Sequence, residues 1–571
     1  MLGSSSTGNS PTALQSRSRQ TWPDRPTADF LVGLFLQEIN EIYQLIHPPS
    51  FQSTYNLWWA AQERNDSSGE AISDDDLSFG ILVLRICLLG IQNLPHSQYP
   101  TTGALSTHLD HLEYWFNNLA DELEKLLPLE KKPSLVTVQH RFLHVCYLKN
   151  YAKIRQSWAI LSTAVKDAHE LGLHLKDPGL PLSDLEMELR RRTFWNLYVC
   201  DRFMYTFFGH WPLIPEGYFD LDPPHDNLDT LTTTSSYTLT RFTDRVFHIK
   251  LARFSTAFLS PPSWKSDQFN ASTVADFAQR FQEVIVDQLP PPYWLETPDT
   301  SMDVVEPTLA RKREWLYLLL WSTKATLYRG FADPCNQLHR ETKTPQQHGT
   351  DLLTLSHRRS LMATTCKVIA AITRLYDLIG DEEGGAVERL FLLPVWLVDA
   401  LAGLGVCLLS IQADERRLAV EGMHLSPDAE LRHSFTTFFE AYSLLGRQAP
   451  QYGLAKRGLR VLEGLHGTLH ALLSSPDLLA SGAQQPFGAG STSAPSFGLE
   501  HTLMSLHGRS GEDFHGRTVF PPRSGSQAFS NHPVDPGYSR MGRFLEICWH
   551  RRLVKLKLMR LVRTVHVRRG R

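Results

Sequence analysis

Between Arg190 and Phe208 the chain reads RRRTFWNLYVCDRFMYTFF, and Phe194, Trp195, Leu197, Tyr198, Val199 and Phe203 point nearly all round a helix. A helix apolar on every side has to be enclosed by other helices. At 571 residues, 42% hydrophobic and 20% charged, the chain is long enough to supply them. Apolar residues recur at spacings of three and four from Ala28 through Phe30, Leu31, Leu34, Phe35, Ile39 and Ile42. Pro48 and Pro49 are expected to end that helix. The same texture predicts helices over 77–92, 105–126, 136–154, 311–331, 356–378, 390–411, 429–447 and 454–473, and strand-like alternation is nearly absent.

The fold class is therefore all-α, a large irregular multi-helix domain with a disordered N-terminal tail and a low-complexity C-terminal region. Residues 1–26, rich in Ser, Thr and Pro, form the tail and lack the apolar core of a secretory signal. Helical sequence runs from 27 to 300 and continues over 301–475 as the same domain. Residues 476–542 are Gly, Pro and Ser rich, and 543–571 are basic. The run at 391–411 approaches the length of a membrane span but holds Pro394 and Asp399 among equally oily neighbours, so it reads as a core helix of a soluble protein.

Seven cysteines are scattered singly, without the close pairs that structural zinc needs, as suits small buried groups. Nucleotide-binding glycine motifs and a nucleophile elbow are missing. His169-Glu170 with His174 differs from the zinc-protease pattern, because residues five apart diverge on a helix. No catalytic, cofactor-binding or metal residue is assigned, and the chain is not read as an enzyme.

Residues 158–224 hold the most specific local signals. Ser183 with Glu186 makes a capping box. Asp201 and Arg202 fall inside the apolar helix and need partners, expected on neighbouring helices, where they would fix packing; contact with a ligand is the alternative. Gly209 and Pro212 mark a corner, and the carboxylates of Asp220 and Asp222 follow in a loop of turn formers.

These residues resemble the middle regulatory domain of fungal zinc-cluster transcription factors. The family's helix end is matched by Leu171-Gly172-Leu173-His174. Its acidic residue, arginine cluster, aromatic pair and Asp-Arg are matched by Glu188, Arg190, Arg191, Arg192, Phe194-Trp195 and Asp201-Arg202. Its Gly-Arg-Pro corner is here Gly209-His210-Trp211-Pro212, with the arginine lost. The resemblance implies a nuclear transcription regulator of secondary-metabolism or nutrient-use genes. Its partners would be DNA, the transcription machinery or co-regulators, a small-molecule effector and a second copy in a homodimer, with no membrane. Zinc is implied only for an N-terminal cysteine cluster, which these residues do not contain; either the gene model is truncated or the protein regulates without it. The alternative class is an all-α interaction scaffold or co-regulator that does not touch DNA.

The tail from Arg543 carries ten basic residues against Glu546 alone. Arg551, Arg552, Lys555, Lys557, Arg568 and Arg569 read as nuclear-import or phosphate contacts. A membrane-surface helix and sequence without a selected role are the other two readings.

Overall fold

The computed structural model describes residues 22–68, 72–94, 109–128, 132–224, 230–233, 238–259, 271–332, 347–380, 392–420, 429–449 and 453–473. The low-complexity and basic segments, 476–571, lie outside the described residues. Contacts divide the chain into two compact units. Among the described residues, one takes in those from 22 to 320 with 374–380 and 392; the other takes in those from 321 to 373 and from 393 to 473.

The first unit is organised on α4 (Asp74–Gln92), in which every residue from Leu77 to Gln92 is buried. Its start is set by Ser73, whose hydroxyl accepts from Asp76 N at 3.1 Å, with three aspartates in the first turn at the positive end of the helix dipole. Helices α1 (Arg25–Leu34), α5 (Leu109–Leu126) and α6 (Leu135–Asn150) pack on it. Arg85, fully buried on α4, donates to Asn117 Oδ1 and Asp121 Oδ1 of α5 at 2.8 and 2.5 Å. The α1 contact is close enough that a Cβ at Gly90 would stand 2.7 Å from the Leu31 carbonyl oxygen.

Three expectations are corrected here. Trp22 to Pro26, read as tail, are placed: Pro23 is buried, Trp22 meets the Trp58 ring edge-on at 4.9 Å, and α1 begins at Arg25. Pro48 and Pro49 open a helix, α3 (Pro48–Ser68), instead of ending one. The preceding helix has already finished through a π turn (Phe35–Ile39), α2 (Asn40–Tyr43) and a left-handed Gln44. Proline lacks the N–H that the first turn cannot use anyway, so it suits that start. Finally, the helix expected over 136–154 stops at Asn150; Ala152 turns left-handed and α7 (Ile154–Glu170) begins afresh.

From α6 the chain passes by contact to α7, α8 (Asp184–Phe208) and α9 (Thr243–Leu259), with α6 also touching α8. A short antiparallel hairpin, β1 (Thr230–Thr233) and β2 (Thr238–Thr240), precedes α9. Helix α10 (Ala271–Val284) follows.

Helices α11 (Thr308–Ala332) and α12 (Gln347–Gly380) each supply residues to both units. The second unit adds α13 (Leu392–Val420), α14 (Ala429–Gln448) and α15 (Gly453–Leu473). By length and composition alone, Leu393–Arg416 could cross a membrane. Its Leu393, Leu397, Leu401, Leu404, Leu408 and Ile411 are buried within the protein, and Asp399 pairs with Arg329 at 2.6 Å, as a core helix requires.

Candidate functional site

The signature residues meet where the loop after α8 folds back over that helix. The capping box fixes the start of α8: Glu186 N donates to Ser183 Oγ at 3.3 Å and Ser183 N to Glu186 Oε2 at 2.9 Å. Donation to the carboxyl from Ser183 N and, at 2.7 Å, from Ser183 Oγ holds the exposed Glu186 below its usual pKa. Gly172 and Gly209, at φ of 68° and 69°, end α7 and α8 in the left-handed conformation that glycine takes without a Cβ penalty.

The arginines divide their work. Arg190 Nη2 donates to the Leu171 carbonyl at 2.6 Å, tying α8 to the end of α7. Arg192 pairs with Glu188 at 3.0 Å one turn back and lies over the Phe242 ring, while Arg191 reaches the other Glu188 oxygen at 3.6 Å.

Asp201 and Arg202 find partners in the loop, not on the neighbouring helices expected from sequence. Leu213 N and Ile214 N donate to Asp201 at 2.9 and 3.1 Å. Arg202 donates to Asp201 Oδ2 at 2.7 Å, to the Ile214 carbonyl at 2.5 Å and to Glu216 at 3.1 Å, and stacks on Tyr198. Burial opposes the Arg202 charge, yet Tyr198, Asp201 and Glu216 together hold its pKa above the ordinary value. Tyr198 also donates to Glu216.

Farther along the loop, Trp195 Nε1 donates to the Asp222 carbonyl at 2.9 Å, and Phe194, Trp195 and Tyr198 surround Phe219. Asp220 N donates to the His174 carbonyl and Asp220 Oδ1 accepts from Lys176 N at 2.8 Å, so both ends of the signature are joined. Sequence reasoning missed Glu216 and Phe219, whose only trace was an acid and an aromatic after the Gly-Pro corner. Pro212 is half-buried, while Trp211 beside it is 74% exposed.

The divergence expected of His169 and His174 does not occur. Gly172 turns the chain, and the rings stack at 4.6 Å, with burial holding both below the usual imidazole pKa. Among the described residues no three His, Cys, Asp or Glu side chains gather as a metal site. Chemically the corner is a clamp of ion pairs and backbone hydrogen bonds. The basic residues from Arg551 to Arg569 lie outside the described residues.

Residues 32–286 match the fungal specific transcription factor domain. The chain is 25% identical over 373 residues to "Transcription factor xilB" of Penicillium rubens, covering 63% of this chain and 53% of that protein. It is 28% identical over 366 residues to "Probable transcription factor sol4" of Alternaria solani, covering 62% of each. Over 206 residues it is 24% identical to "Terreic acid cluster-specific transcription factor atF" of Aspergillus terreus, covering 35% of this chain and 28% of that one. The chain thus spans between half and two thirds of the length of the first two relatives.

Proposed function

We propose that this chain, which carries a fungal specific transcription factor domain, is a non-enzymatic transcription regulator acting in the nucleus. The observation that carries this reading is that the matched domain, 32–286, contains the whole clamp built on α8. Relatives named as transcription factors support the regulatory role, and one named for a metabolite cluster supports targets of that kind. The helical body would hold activating or DNA-binding segments in one of two arrangements, and an effector or partner shifts the balance only by binding one arrangement better. The clamp gives the body a rigid reference surface for such a shift.

Tethering tests it. The full chain is fused to an unrelated DNA-binding domain and its effect on a reporter placed beside that domain's site is measured in a fungal host. A change in transcript of severalfold in either direction is expected. A fusion present in the nucleus that leaves the reporter unchanged sinks the reading in favour of a scaffold.

A further inference from the structure

Around Tyr43, elements of the first unit bring together two cations and no paired carboxylate. Lys149 of α6 holds its Nζ 5.8 Å from the Tyr43 ring centroid and 5.6 Å from that of Phe203 on α8. Arg245 of α9 holds its Cζ 5.5 Å from the same Tyr43 ring. Lys149 donates to the Tyr43 hydroxyl at 3.5 Å, and Arg245 donates to Asn196 Oδ1 at 2.5 Å and His248 Nδ1 at 3.1 Å. Neither cation forms an ion pair with a described carboxylate. Every other buried or half-buried cation of the clamp has one, as Arg192 has Glu188 and Arg202 has Asp201, or a carbonyl, as Arg190 has Leu171.

A cation taken from water without a counter-charge is costly, commonly by several kcal/mol. Burial pulls the Arg245 pKa down, with Tyr43 and Asp244 only pulling it partly back. Because Arg245 donates to Nδ1, neutral His248 carries its proton on Nε2, a buried donor left without an acceptor. Tyr43, Lys149 and Phe203 are half-buried, while Arg245, His248, Cys146 and Cys200 are buried.

We propose that this cluster binds a small organic carboxylate. The carboxylate accepts from Lys149 and Arg245, and the apolar part of the molecule lies against the Tyr43 and Phe203 rings. The binding step stands independently of the regulatory reading; the idea that this ligand is the effector rests on it.

The full chain is titrated with acetate, hexanoate, succinate and 3-phenylpropionate at constant ionic strength, with 3-phenylpropanamide and inorganic phosphate as controls, and thermal unfolding is followed. At least one carboxylate is expected to raise the Tm by about 2–4 °C at saturation, with both controls inert. Lys149→Met should abolish the shift, whereas Lys125→Met, at an exposed site on α5, should keep it. In the unaltered protein the same carboxylate should slow iodoacetamide labelling of Cys146 and Cys200 at least about threefold relative to Cys366 and Cys407 of the other unit, a readout that needs no variant. No shift from any carboxylate, equal shifts from the amide or phosphate, a shift surviving Lys149→Met, or unprotected cysteines each overturn the proposal. Since the readout is binding, a silent reporter leaves this site standing, and a failed titration leaves the transcriptional reading standing.

Discussion

Asp201 is fully buried, yet it accepts two backbone N–H groups and faces a guanidinium that is itself 2% exposed. Removing the carboxylate strands the Leu213 and Ile214 donors and leaves the Arg202 charge with Glu216 alone. Breaking a buried pair from one side costs about 3–5 kcal/mol, more than the pair itself contributes. Asp201→Ala is therefore expected to lower the unfolding free energy of the first unit by that amount, read by urea denaturation. Hydrogen exchange at Leu213 and Ile214 should quicken first. A loss under about 1 kcal/mol would mean that water replaces the carboxylate and the clamp is not held by it. Sequence made the need for a partner legible, because two charges interrupt an apolar helix. It could not supply the partner's address: residues 12 to 14 positions downstream return only because Gly209 turns the chain, and a helical wheel shows nothing of that return.

At the scale of elements, the long helices were legible because they carry apolar runs and, at α4 and α8, a capping serine, Ser73 and Ser183. Their junctions were not. The π turn and left-handed Gln44 before α3 are stabilised by Asn40, whose side chain brackets Ile46 N and O, and by Gln139 donating to the Leu45 carbonyl from α6. The Gln139 contact is 94 residues distant and the Asn40 bracket follows no helical period, so Pro48 looked like a stop. Helix glycines test how packing overrides propensity. Gly90→Ala gains helix propensity of about 1 kcal/mol but drives a methyl into the Leu31 backbone, which cannot rotate away. It should destabilise by about 1–3 kcal/mol net. Gly467→Ala, in α15 with nothing within 4 Å of the added carbon, should stabilise by about 0.5–1 kcal/mol. Thermal unfolding of both variants checks the pair, and equal signs would show that propensity alone decides.

At the scale of the molecule, the first unit encloses three imidazoles that the chain could not show to be buried: His140 and His144 on α6 and His248 on α9. Burial, reinforced by Arg141 and Arg85 around His140, by Arg85 around His144 and by Arg245 beside His248, holds all three far below the usual histidine pKa, His144 to about 2. Above pH ~6.5 neither the folded nor the unfolded chain protonates them. Below it only the unfolded chain does, so each histidine removes about 1.4 kcal/mol of stability per pH unit. Asp244 works the other way: burial raises its carboxyl to about 6, so below that pH the folded state holds a proton that the unfolded state releases. The three buried imidazoles outweigh Asp244, and the partly buried His169 and His174 act in the same direction, so stability falls by several kcal/mol between pH ~6.5 and ~5. Urea unfolding of the first unit, followed by hydrogen exchange in α6 and α9 from pH 7.5 to 4.5, should show that fall. His140→Leu should lower the slope below pH ~6.5 by about 1.4 kcal/mol per pH unit. A stability that stays flat from pH 6.5 to 5 would mean that these imidazoles reach water in the folded chain, and the packing of α6 against α4 would have to be looser than described.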